Sequence, residues 1–261
     1  MPHVGRMAFL LFGVPVYWYG LLIMSGVLVG LLIISLREKR FGLPKDTSLN
    51  LALWIIPAAI VCARIYFVAF SWDSFKNDLW SIFNLRGGGI AIYGSLIGGF
   101  ITAFFYSKAK KLNLLTLCDL VAPAVAAGQA IGRWGNFFNQ EAYGVPIMNP
   151  SFQFFPAAVW IEEKSGWFAA TFFYESAWCF LIVAFLLIAE RKSVFRRSGE
   201  EFLWYVVLYA FERMFVEGLR TDSLYWGPVR VSQALSFALF LVGAILILAL
   251  RKGAKIGRAH V

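Results

Sequence analysis

The sequence is poor in histidine and cysteine, two residue types that often serve as bases, nucleophiles or metal ligands. It has two histidines, His3 and His260, one near each end of the chain. The three cysteines are Cys62, Cys118 and Cys179; they lie in apolar stretches, and none forms a C-x-x-C pair. We therefore expect no disulfide framework, no histidine base, and no metal or organic cofactor. Chemistry in this chain must come from arginine, glutamate, tyrosine and amide groups.

Charged residues are also scarce. They make up 15% of the 261 residues, whereas hydrophobic residues make up 60%. That composition leaves too little polar surface to cover a soluble domain. The apolar residues form blocks close to the ~20 residues that a helix needs to cross a bilayer. We predict an all-α integral membrane protein with seven transmembrane helices, forming one domain over residues 1–261. The fourth span begins near Thr116 and ends within residues 132–144; the others are residues 17–36, 49–70, 88–106, 172–189, 202–218 and 231–250.

The stretch between the fourth and fifth spans, residues 139–171, is the longest without a span and contains Pro146, Pro150 and Pro156. We predict that it forms a small extracytoplasmic cap. Lysine and arginine concentrate after spans one, three, five and seven, and short loops rich in these residues face the cytoplasm. We therefore expect the amino terminus outside and the carboxyl terminus inside, with residues 252–261 as a basic cytoplasmic tail. The net charge of +9 then reflects membrane topology and not nucleic-acid binding.

The most informative stretch is residues 132–144, which read GRWGNFFNQEAYG. At helical spacing Arg133, Asn136 and Gln140 lie on one face. Together with Glu141 they place a guanidinium, carboxamides and a carboxylate at the end of a membrane span, where they can bind an anionic head group. A polar helix end that returns to water explains one or two such residues, but not this density between two flanking glycines.

Three arginines, Arg64, Arg133 and Arg213, lie within predicted spans. Each costs about 2.5–3.5 kcal/mol at the centre of a membrane helix, so such residues normally face the protein interior, paired or lining a polar path. Arg64 has no polar company in its own span. For this residue a purely structural role is a fair alternative to a functional one.

The sixth predicted span carries a stripe of polar residues, in which Arg213 and Glu217 are one turn apart and can pair directly. The stripe consists of Tyr205, Tyr209, Arg213, Glu217 and Arg220. A site for an anionic lipid or an ion pathway explains this concentration of charge; the alternative is an ion pair that only stabilises helix packing. Tyr174 and Glu175 start the fifth span and are a further candidate pair, although the helix dipole explains an acid there equally well.

The third predicted span contains closely spaced glycines. Gly94-x-x-x-Gly98 is the small-residue spacing that lets two helix backbones approach closely. We therefore predict a tight contact between this helix and a neighbour.

These stretches resemble one known family. GRWGNFFNQEAYG is similar to the signature G-R-x-G-N-F-x-N-x-E-x-x-G of bacterial prolipoprotein diacylglyceryl transferases, and further similar stretches follow in order over nearly the whole chain. They are WYG at residues 18–20, ARIYFV at 63–68, GGGIAIYGSLIGG at 87–99, CDLVAP at 118–123, FYES at 173–176 and YAFERMFVEGLRTD at 209–222.

The resemblance implies a bacterial inner-membrane enzyme that begins lipoprotein maturation, with its active site toward the outer face. Such an enzyme transfers the diacylglyceryl group of phosphatidylglycerol to the thiol of the lipobox cysteine in a prolipoprotein signal peptide and releases glycerol phosphate. Its partners are these two substrates and the bilayer, with no nucleic acid. The residues implied as catalytic are Arg133, Arg213, Tyr93, Glu141 and Glu217. Those implied as binding phosphatidylglycerol are Arg133, Asn136, Tyr19, Tyr209, Arg213, Gly144 and Arg220.

The sequence departs from the family pattern at two places. Many members have a histidine in the third span where this chain has Tyr93, so the identity of the base is open. A His-Pro pattern reads Ala169-Ala170 here, ahead of Thr171. A membrane transporter with a charged pathway is the alternative function. It predicts inverted repeats or paired broken helices, and the sequence shows no convincing internal repeat.

Overall fold

The computed structural model describes residues 5–84 and 88–256. This part of the chain contains seven long α-helices and three two-stranded antiparallel sheets. The helices are α1 (Trp18–Arg37), α2 (Thr47–Phe70), α3 (Ile92–Ala109), α4 (Leu114–Asn139), α5 (Thr171–Arg191), α6 (Glu200–Leu219) and α7 (Val231–Ile256). The sheets pair β1 (Met7–Leu11) with β2 (Val14–Tyr17), β3 (Ala158–Ile161) with β4 (Gly166–Ala169), and β5 (Tyr225–Trp226) with β6 (Val229–Arg230).

Five of these helices, α1, α2, α4, α5 and α7, are long and apolar enough to cross a membrane. The prediction of a largely helical, multi-pass membrane protein is confirmed at that level. Helix α3 has only 18 residues, and α6 carries Glu212, Arg213 and Glu217 in its second half. Because those charges lower the hydropathy of α6, the count of seven spans stays a prediction.

Within the predicted domain of residues 1–261, the chain forms two compact units. The larger unit combines the residues up to Ile33 with those from Val121 onward, and the smaller unit is Ile34–Leu120. Helices α1 and α4 each contribute residues to both units.

The smaller unit is built on a close contact between α2 and α3. A Cβ added at Gly94 would lie 2.5 Å from the carbonyl oxygen of Cys62, and one added at Gly98 would lie 2.6 Å from the Cys62 Cβ. Only glycine permits backbones to come this near. The tight helix contact predicted from the Gly94-x-x-x-Gly98 spacing is therefore confirmed.

Arg64 of α2 has backbone carbonyls as its partners in place of a carboxylate. Its side chain is largely buried and donates five hydrogen bonds to the segment before α3. The acceptors are the carbonyl oxygens of Ile82 at 2.7 Å, Ser81 at 2.7 Å, Gly88 and Gly89 at 2.8 Å, and Asn84 at 3.1 Å. This arrangement fits the structural alternative for Arg64, since the guanidinium satisfies carbonyl groups that would otherwise be unpaired.

The larger unit is built around α4, with α5 and α6 packed on it. In the most apolar stretch of α4, 56% of the residues are buried inside the protein. In the corresponding stretch of α1 only 11% are buried. Ala122 and Ala126 of α4 form a core cluster with Ile182 and Leu186 of α5 and Tyr205 of α6. The helix that carries the 132–144 motif is therefore enclosed by its neighbours.

The segment between α4 and α5, predicted to form a cap, contains the β3–β4 hairpin. Strands β3 and β4 pair in register, with Trp160 opposite Trp167. Val159 and Ile161 are buried in a cluster with Phe172 at the start of α5. Helix α4 ends at Asn139 and α5 begins at Thr171, close to the predicted bounds of residues 139–171. The position of this cap outside the membrane stays a prediction.

Two features at the ends of the described chain were not foreseen in the sequence. The β1–β2 hairpin runs directly into α1. Helix α7 continues through Ile256, so the first part of residues 252–261, expected as a basic tail, is helical. Residues 257–261 lie outside the described part of the chain.

Candidate functional site

A buried carboxylate, Glu175 of α5, lies between the two arginines predicted as catalytic. One of its oxygens, Oε1, pairs with Nη2 of Arg133, and Oε2 lies 2.9 Å from Nη1 of Arg213. The hydroxyl of Tyr209 donates a hydrogen bond to Oε1 at 2.9 Å. Helices α4, α5 and α6 each contribute to this group, which we call the arginine cluster: Arg133, Glu175, Tyr209, Arg213 and Glu217. The cluster exists only when the three helices are packed together.

Glu217 completes the arginine cluster. It pairs with Nη2 of Arg213 one helical turn away, as the spacing on the sixth span predicted. The backbone carbonyl of Glu217 in turn accepts a hydrogen bond from the guanidinium of Arg230, and that guanidinium lies 5.4 Å from the ring centre of Tyr225. Arg213 is therefore held by a carboxylate on each side, and the end of α6 is tied to the β5–β6 hairpin.

The two signs of charge in the arginine cluster differ in accessibility. The side chains of Arg133 and Arg213 are 23% and 14% exposed, whereas those of Glu175 and Glu217 are 1% and 2% exposed. A guanidinium has five N–H donors, and the ion pairs within the arginine cluster use only some of those of Arg133 and Arg213. An incoming anion would therefore meet the guanidinium groups and not the carboxylates that orient them.

A chain of hydrogen bonds leads from the arginine cluster past the end of α4. Nη1 of Arg133 lies 3.4 Å from Oδ1 of Asn136, and Nδ2 of Asn136 donates to Oε1 of Glu141 at 3.0 Å. Nδ2 of Asn139 donates to the same oxygen at 3.2 Å. Four residues of the 132–144 motif are thus connected, and Asn136 lies between Arg133 and Glu141.

The prediction that Gln140 shares a helical face with Arg133 and Asn136 is wrong. Helix α4 ends at Asn139, and Gln140 has a φ of 52°, in the left-handed region. Its side-chain oxygen accepts a hydrogen bond from the backbone N–H of Glu162 at 3.0 Å. The helix stops before Gln140, so this side chain ties the β3–β4 turn to the end of α4.

Tyr19, predicted to bind lipid, packs its ring directly against α4. A Cβ added at Gly135 would lie 2.4 Å from Cδ2 of Tyr19, so the second glycine of the signature is required for this contact. Gly135 lies between Arg133 and Asn136 in the sequence. Tyr19 is therefore placed beside the turn of α4 that carries both polar side chains.

Gly144, also predicted to bind lipid, packs too closely against its neighbours to leave room for a side chain. An added Cβ would lie 2.8 Å from the Cβ of Ala169 and 2.9 Å from Cγ2 of Thr171. The backbone N–H of Gly144 donates to the carbonyl oxygen of Ala169 at 2.9 Å. A role of Gly144 in lipid binding stays a prediction.

Arg220 makes its ion pair outside the arginine cluster. Its Nε and Nη2 donate to the two carboxylate oxygens of Asp222 at 2.9 and 2.7 Å. Burial raises the pKa of Asp222, but the hydrogen bonds and positive charge of Arg220 outweigh burial and hold that pKa below its ordinary value. The predicted role of Arg220 in binding lipid stays a prediction.

Tyr93 belongs to the smaller unit, where it is the second residue of α3. Its side chain is exposed, and its ring centre lies 6.4 Å from that of Tyr66. A role of Tyr93 in proton transfer stays a prediction.

The residue whose importance was missed is Glu175. The sequence analysis considered it, but an acid near the start of a helix was explained equally well by the helix dipole. The stronger signal was its position five residues into an apolar helix that begins at Thr171. A carboxylate buried at that depth is costly unless a cation pairs with it, and two candidate cations were already identified.

A polar cavity of about 380 Å³ lies next to the end of α4. Its walls are Arg6, residues 139–143, Glu163, Thr221 and Asp222. Glu141 belongs both to this wall and to the hydrogen-bonded chain that leads to Arg133. Among residues 5–84 and 88–256, no group of three or more His, Cys, Asp or Glu side chains is arranged to hold a metal ion.

Comparison with known sequences gives consistent results. A family model described as prolipoprotein diacylglyceryl transferase matches residues 6–249. A Bacillus cytotoxicus protein is 41% identical over 256 residues, covering 97% of this chain and 94% of its own. A Bacillus cereus protein is 43% identical over 258 residues, with the same coverage. An Enterococcus faecalis protein is 40% identical over 257 residues, covering 97% of this chain and 92% of its own. All three relatives bear the name phosphatidylglycerol–prolipoprotein diacylglyceryl transferase.

Proposed function

The chain belongs to the prolipoprotein diacylglyceryl transferase family, and we propose that the arginine cluster is its active site. The enzyme transfers the diacylglyceryl group of phosphatidylglycerol to the thiol of the lipobox cysteine in a prolipoprotein and releases glycerol phosphate. The common name of the relatives supports this activity. Nothing in the comparisons supports the alternative of a transporter.

The reaction is an alkyl transfer. The cysteine sulfur forms a bond to the terminal glyceryl carbon while the bond from that carbon to the phosphate oxygen breaks, and the electron pair leaves with the phosphate. The thiol proton is lost in the same process. Because the nucleophile belongs to the substrate, the enzyme needs no cysteine of its own. It needs groups that stabilise the leaving phosphate and lower the cost of ionising the thiol.

Arg133 and Arg213 provide these groups. Guanidinium groups bind phosphate through paired hydrogen bonds, and such donors are worth more where water is sparse. The observation that carries the proposal is their accessibility: the two guanidiniums are partly exposed, while Glu175 and Glu217 behind them are almost fully buried. The carboxylates balance the charge at rest, and the free N–H groups remain available for the phosphate.

The other polar residues act around this pair. Asn136 and Tyr19 lie beside Arg133 and contact the head group of the lipid. Tyr209 donates to Glu175 and so orients the carboxylate that both arginines share. Arg220 and Gly144 lie near the end of α6, where their backbones form a bridge, and they shape the same side of the site. Glu141 and Tyr93 are the candidates for receiving the thiol proton.

The membrane arrangement follows from the distribution of basic residues. All seven helices cross the bacterial cytoplasmic membrane, with the amino terminus outside and the carboxyl terminus in the cytoplasm. The arginine cluster then lies toward the outer leaflet, below the β3–β4 cap. Phosphatidylglycerol reaches it within the bilayer, and the prolipoprotein presents its cysteine at the outer surface.

The test is incubation of the purified protein with phosphatidylglycerol and a lipobox peptide, followed by the mass of the peptide. The wild-type protein should add one diacylglyceryl group. Arg133→Ala and Arg213→Ala should lower kcat about 100- to 1000-fold, the usual cost of removing a donor that stabilises developing charge. Arg251→Ala is the matched control, because Arg251 pairs with Glu200 at 2.5 Å at the opposite end of α6.

Thermal unfolding of each variant separates lost catalysis from lost structure, and Arg133→Lys and Arg213→Lys serve where the alanine variants do not fold. Wild-type activity in either arginine variant defeats the phosphate-binding role. Absence of the adduct with wild-type protein defeats the activity itself.

A further inference from the structure

We propose that the polar cavity at the end of α4 binds the polypeptide that follows the acceptor cysteine and favours a positively charged segment there. This inference rests on the proposed function, since it names the part of the protein substrate that lies beside the same site. The cavity is defined by Arg6, residues 139–143, Glu163, Thr221 and Asp222.

The cavity is connected to the arginine cluster through the 132–144 motif. Glu141 lines the cavity and accepts a hydrogen bond from Asn136 at 3.0 Å. Asn136 in turn contacts Arg133. In a prolipoprotein the apolar signal segment precedes the cysteine and the mature polypeptide follows it. With the cysteine at the arginine cluster, the residues after it must leave along polar surface. The cavity is a polar recess at this end of α4, and Asn136 and Glu141 connect it to the cluster.

The cavity is lined mainly by carboxylates, whereas the partly exposed groups of the arginine cluster are the guanidiniums of Arg133 and Arg213. Three carboxylates, Glu141, Glu163 and Asp222, line it, with one guanidinium, that of Arg6. Asp222 is neutralised by its ion pair with Arg220. Glu141 accepts hydrogen bonds from two amides, which leave its charge in place. The carboxylates of Glu141 and Glu163 then outnumber the guanidinium of Arg6 by one, so the cavity favours cations and backbone N–H groups over an anion.

The two substrates are thus separated by charge. The anionic lipid head group is drawn to Arg133 and Arg213, and the polypeptide is drawn to the carboxylates beyond Asn136. Glu163 belongs to the β3–β4 turn, and the preceding residue, Glu162, donates its backbone N–H to the side-chain oxygen of Gln140. The turn is therefore attached to the end of α4 on the rim of the cavity.

The experiment uses the whole protein in phosphatidylglycerol-containing vesicles and three peptides that are identical through the lipobox cysteine. The residues after the cysteine are Lys-Lys, Ser-Ser or Glu-Glu. At low salt the wild-type kcat/KM for the Lys-Lys peptide should exceed that for the Glu-Glu peptide about three- to five-fold, as expected for one partly solvated ion pair. The preference should arise from KM and shrink at high salt, where exposed charges are screened.

Glu163→Lys should abolish or reverse this preference through KM, and Glu163→Gln should weaken it. The matched control is Glu162→Lys, which makes the same charge change on the same turn at a residue that does not line the cavity. It should keep the wild-type preference. Thermal unfolding confirms that each variant is folded, and Glu163→Gln decides the matter if Glu163→Lys is not.

Equal kcat/KM for the Lys-Lys and Glu-Glu peptides overturns the inference, as does a preference that both Glu163 variants retain. An effect of Glu162→Lys as large as that of Glu163→Lys also overturns it. The peptide preference would then reflect the overall charge of the β3–β4 turn and not binding in the cavity. These results leave the proposed function intact. The absence of diacylglyceryl transfer to any of the three peptides counts instead against the proposed function.

Discussion

Arg133 and Arg213 bind opposite oxygens of one buried carboxylate, that of Glu175. Two guanidinium groups from different helices are thereby brought to one point, although like charges repel. Removing one member of a buried ion-paired group leaves the others uncompensated in a medium of low polarity. The stability of this part of the protein and the geometry of its proposed phosphate site therefore depend on the same side chain.

Glu175→Gln should reduce both stability and activity. The substitution keeps the shape of the side chain but removes the charge that Arg133 and Arg213 share. We expect unfolding to become easier by about 3 kcal/mol, the lower end for breaking a buried pair, and kcat to fall at least ten-fold. Thermal unfolding and the peptide transfer assay measure the two effects.

Glu200→Gln is the control for Glu175→Gln. Glu200 is fully buried and pairs with Arg251 at 2.5 Å, so this variant also loses a buried ion pair, but outside the arginine cluster. It should lower thermal stability and leave kcat near the wild-type value. A similar loss of kcat in both variants would mean that Glu175 acts only through general stability.

Tyr93→Phe tests the proposed proton acceptor in the smaller unit. A positioned acid or base usually contributes about 100- to 10,000-fold to a rate, so we expect a fall in kcat of about 100-fold if the hydroxyl takes the thiol proton. The control is Tyr66→Phe, which removes a hydroxyl from the neighbouring ring at 6.4 Å. An unchanged kcat in Tyr93→Phe removes this residue from the chemistry.

Gly98→Ala should destabilise the contact between α2 and α3. The added Cβ would lie 2.6 Å from the Cβ of Cys62 and 3.0 Å from the carbonyl oxygen of Ala58, so the helices must move apart. Overpacking of this kind costs about 1–3 kcal/mol. The adjacent Gly99→Ala is the control, because its Cβ would meet only Cγ2 of Ile55 at 3.7 Å. Comparison of their melting temperatures checks the prediction, and equal values contradict it.

Asp222→Asn should remove a pH-dependent contribution to stability. The pKa of Asp222 is lower in the folded protein because of Arg220. Such a group stabilises the fold above its unfolded pKa of about 3.9, and the contribution is lost as the pH falls through the folded pKa. The side chain is 50% exposed, so the effect is below about 1 kcal/mol.

The melting temperature of Asp222→Asn should therefore lie slightly below the wild-type value at pH 7 and converge with it as the pH falls through the folded pKa of Asp222. Asp73→Asn is the control, since its ion pair with Lys76 lies in solvent with Asp73 93% exposed. A difference between wild type and Asp222→Asn that persists unchanged at low pH contradicts the assignment.

Much of the architecture was predictable because it depends on the local spacing of apolar, small and charged residues. Apolar blocks located the helices to within a few residues, and the Gly94-x-x-x-Gly98 spacing predicted the tight contact of α3. The pairing of Arg213 with Glu217 followed from their separation by one helical turn, since residues at that spacing lie on the same face. The family resemblance added the reaction that we propose for these residues.

The point at which α4 ends was not predictable in the same way. A helical pattern continued through Gln140, but the chain turns into the left-handed region there, and its side chain binds the backbone of Glu162. That partner belongs to a hairpin that forms only when the cap is folded. Local spacing cannot encode such a contact. The prediction that Arg133, Asn136 and Gln140 share one helical face was therefore wrong for Gln140.

The sequence by itself determined that this is a helical membrane protein of the diacylglyceryl transferase family with arginines inside its long helices. Only the tertiary structure decided that Arg133 and Arg213 meet, and that Glu175 is what joins them. The physical reason is that charge and hydropathy are properties of single residues and of short segments. Which carboxylate neutralises a buried arginine depends on how three helices pack, and that packing involves residues far apart in the chain.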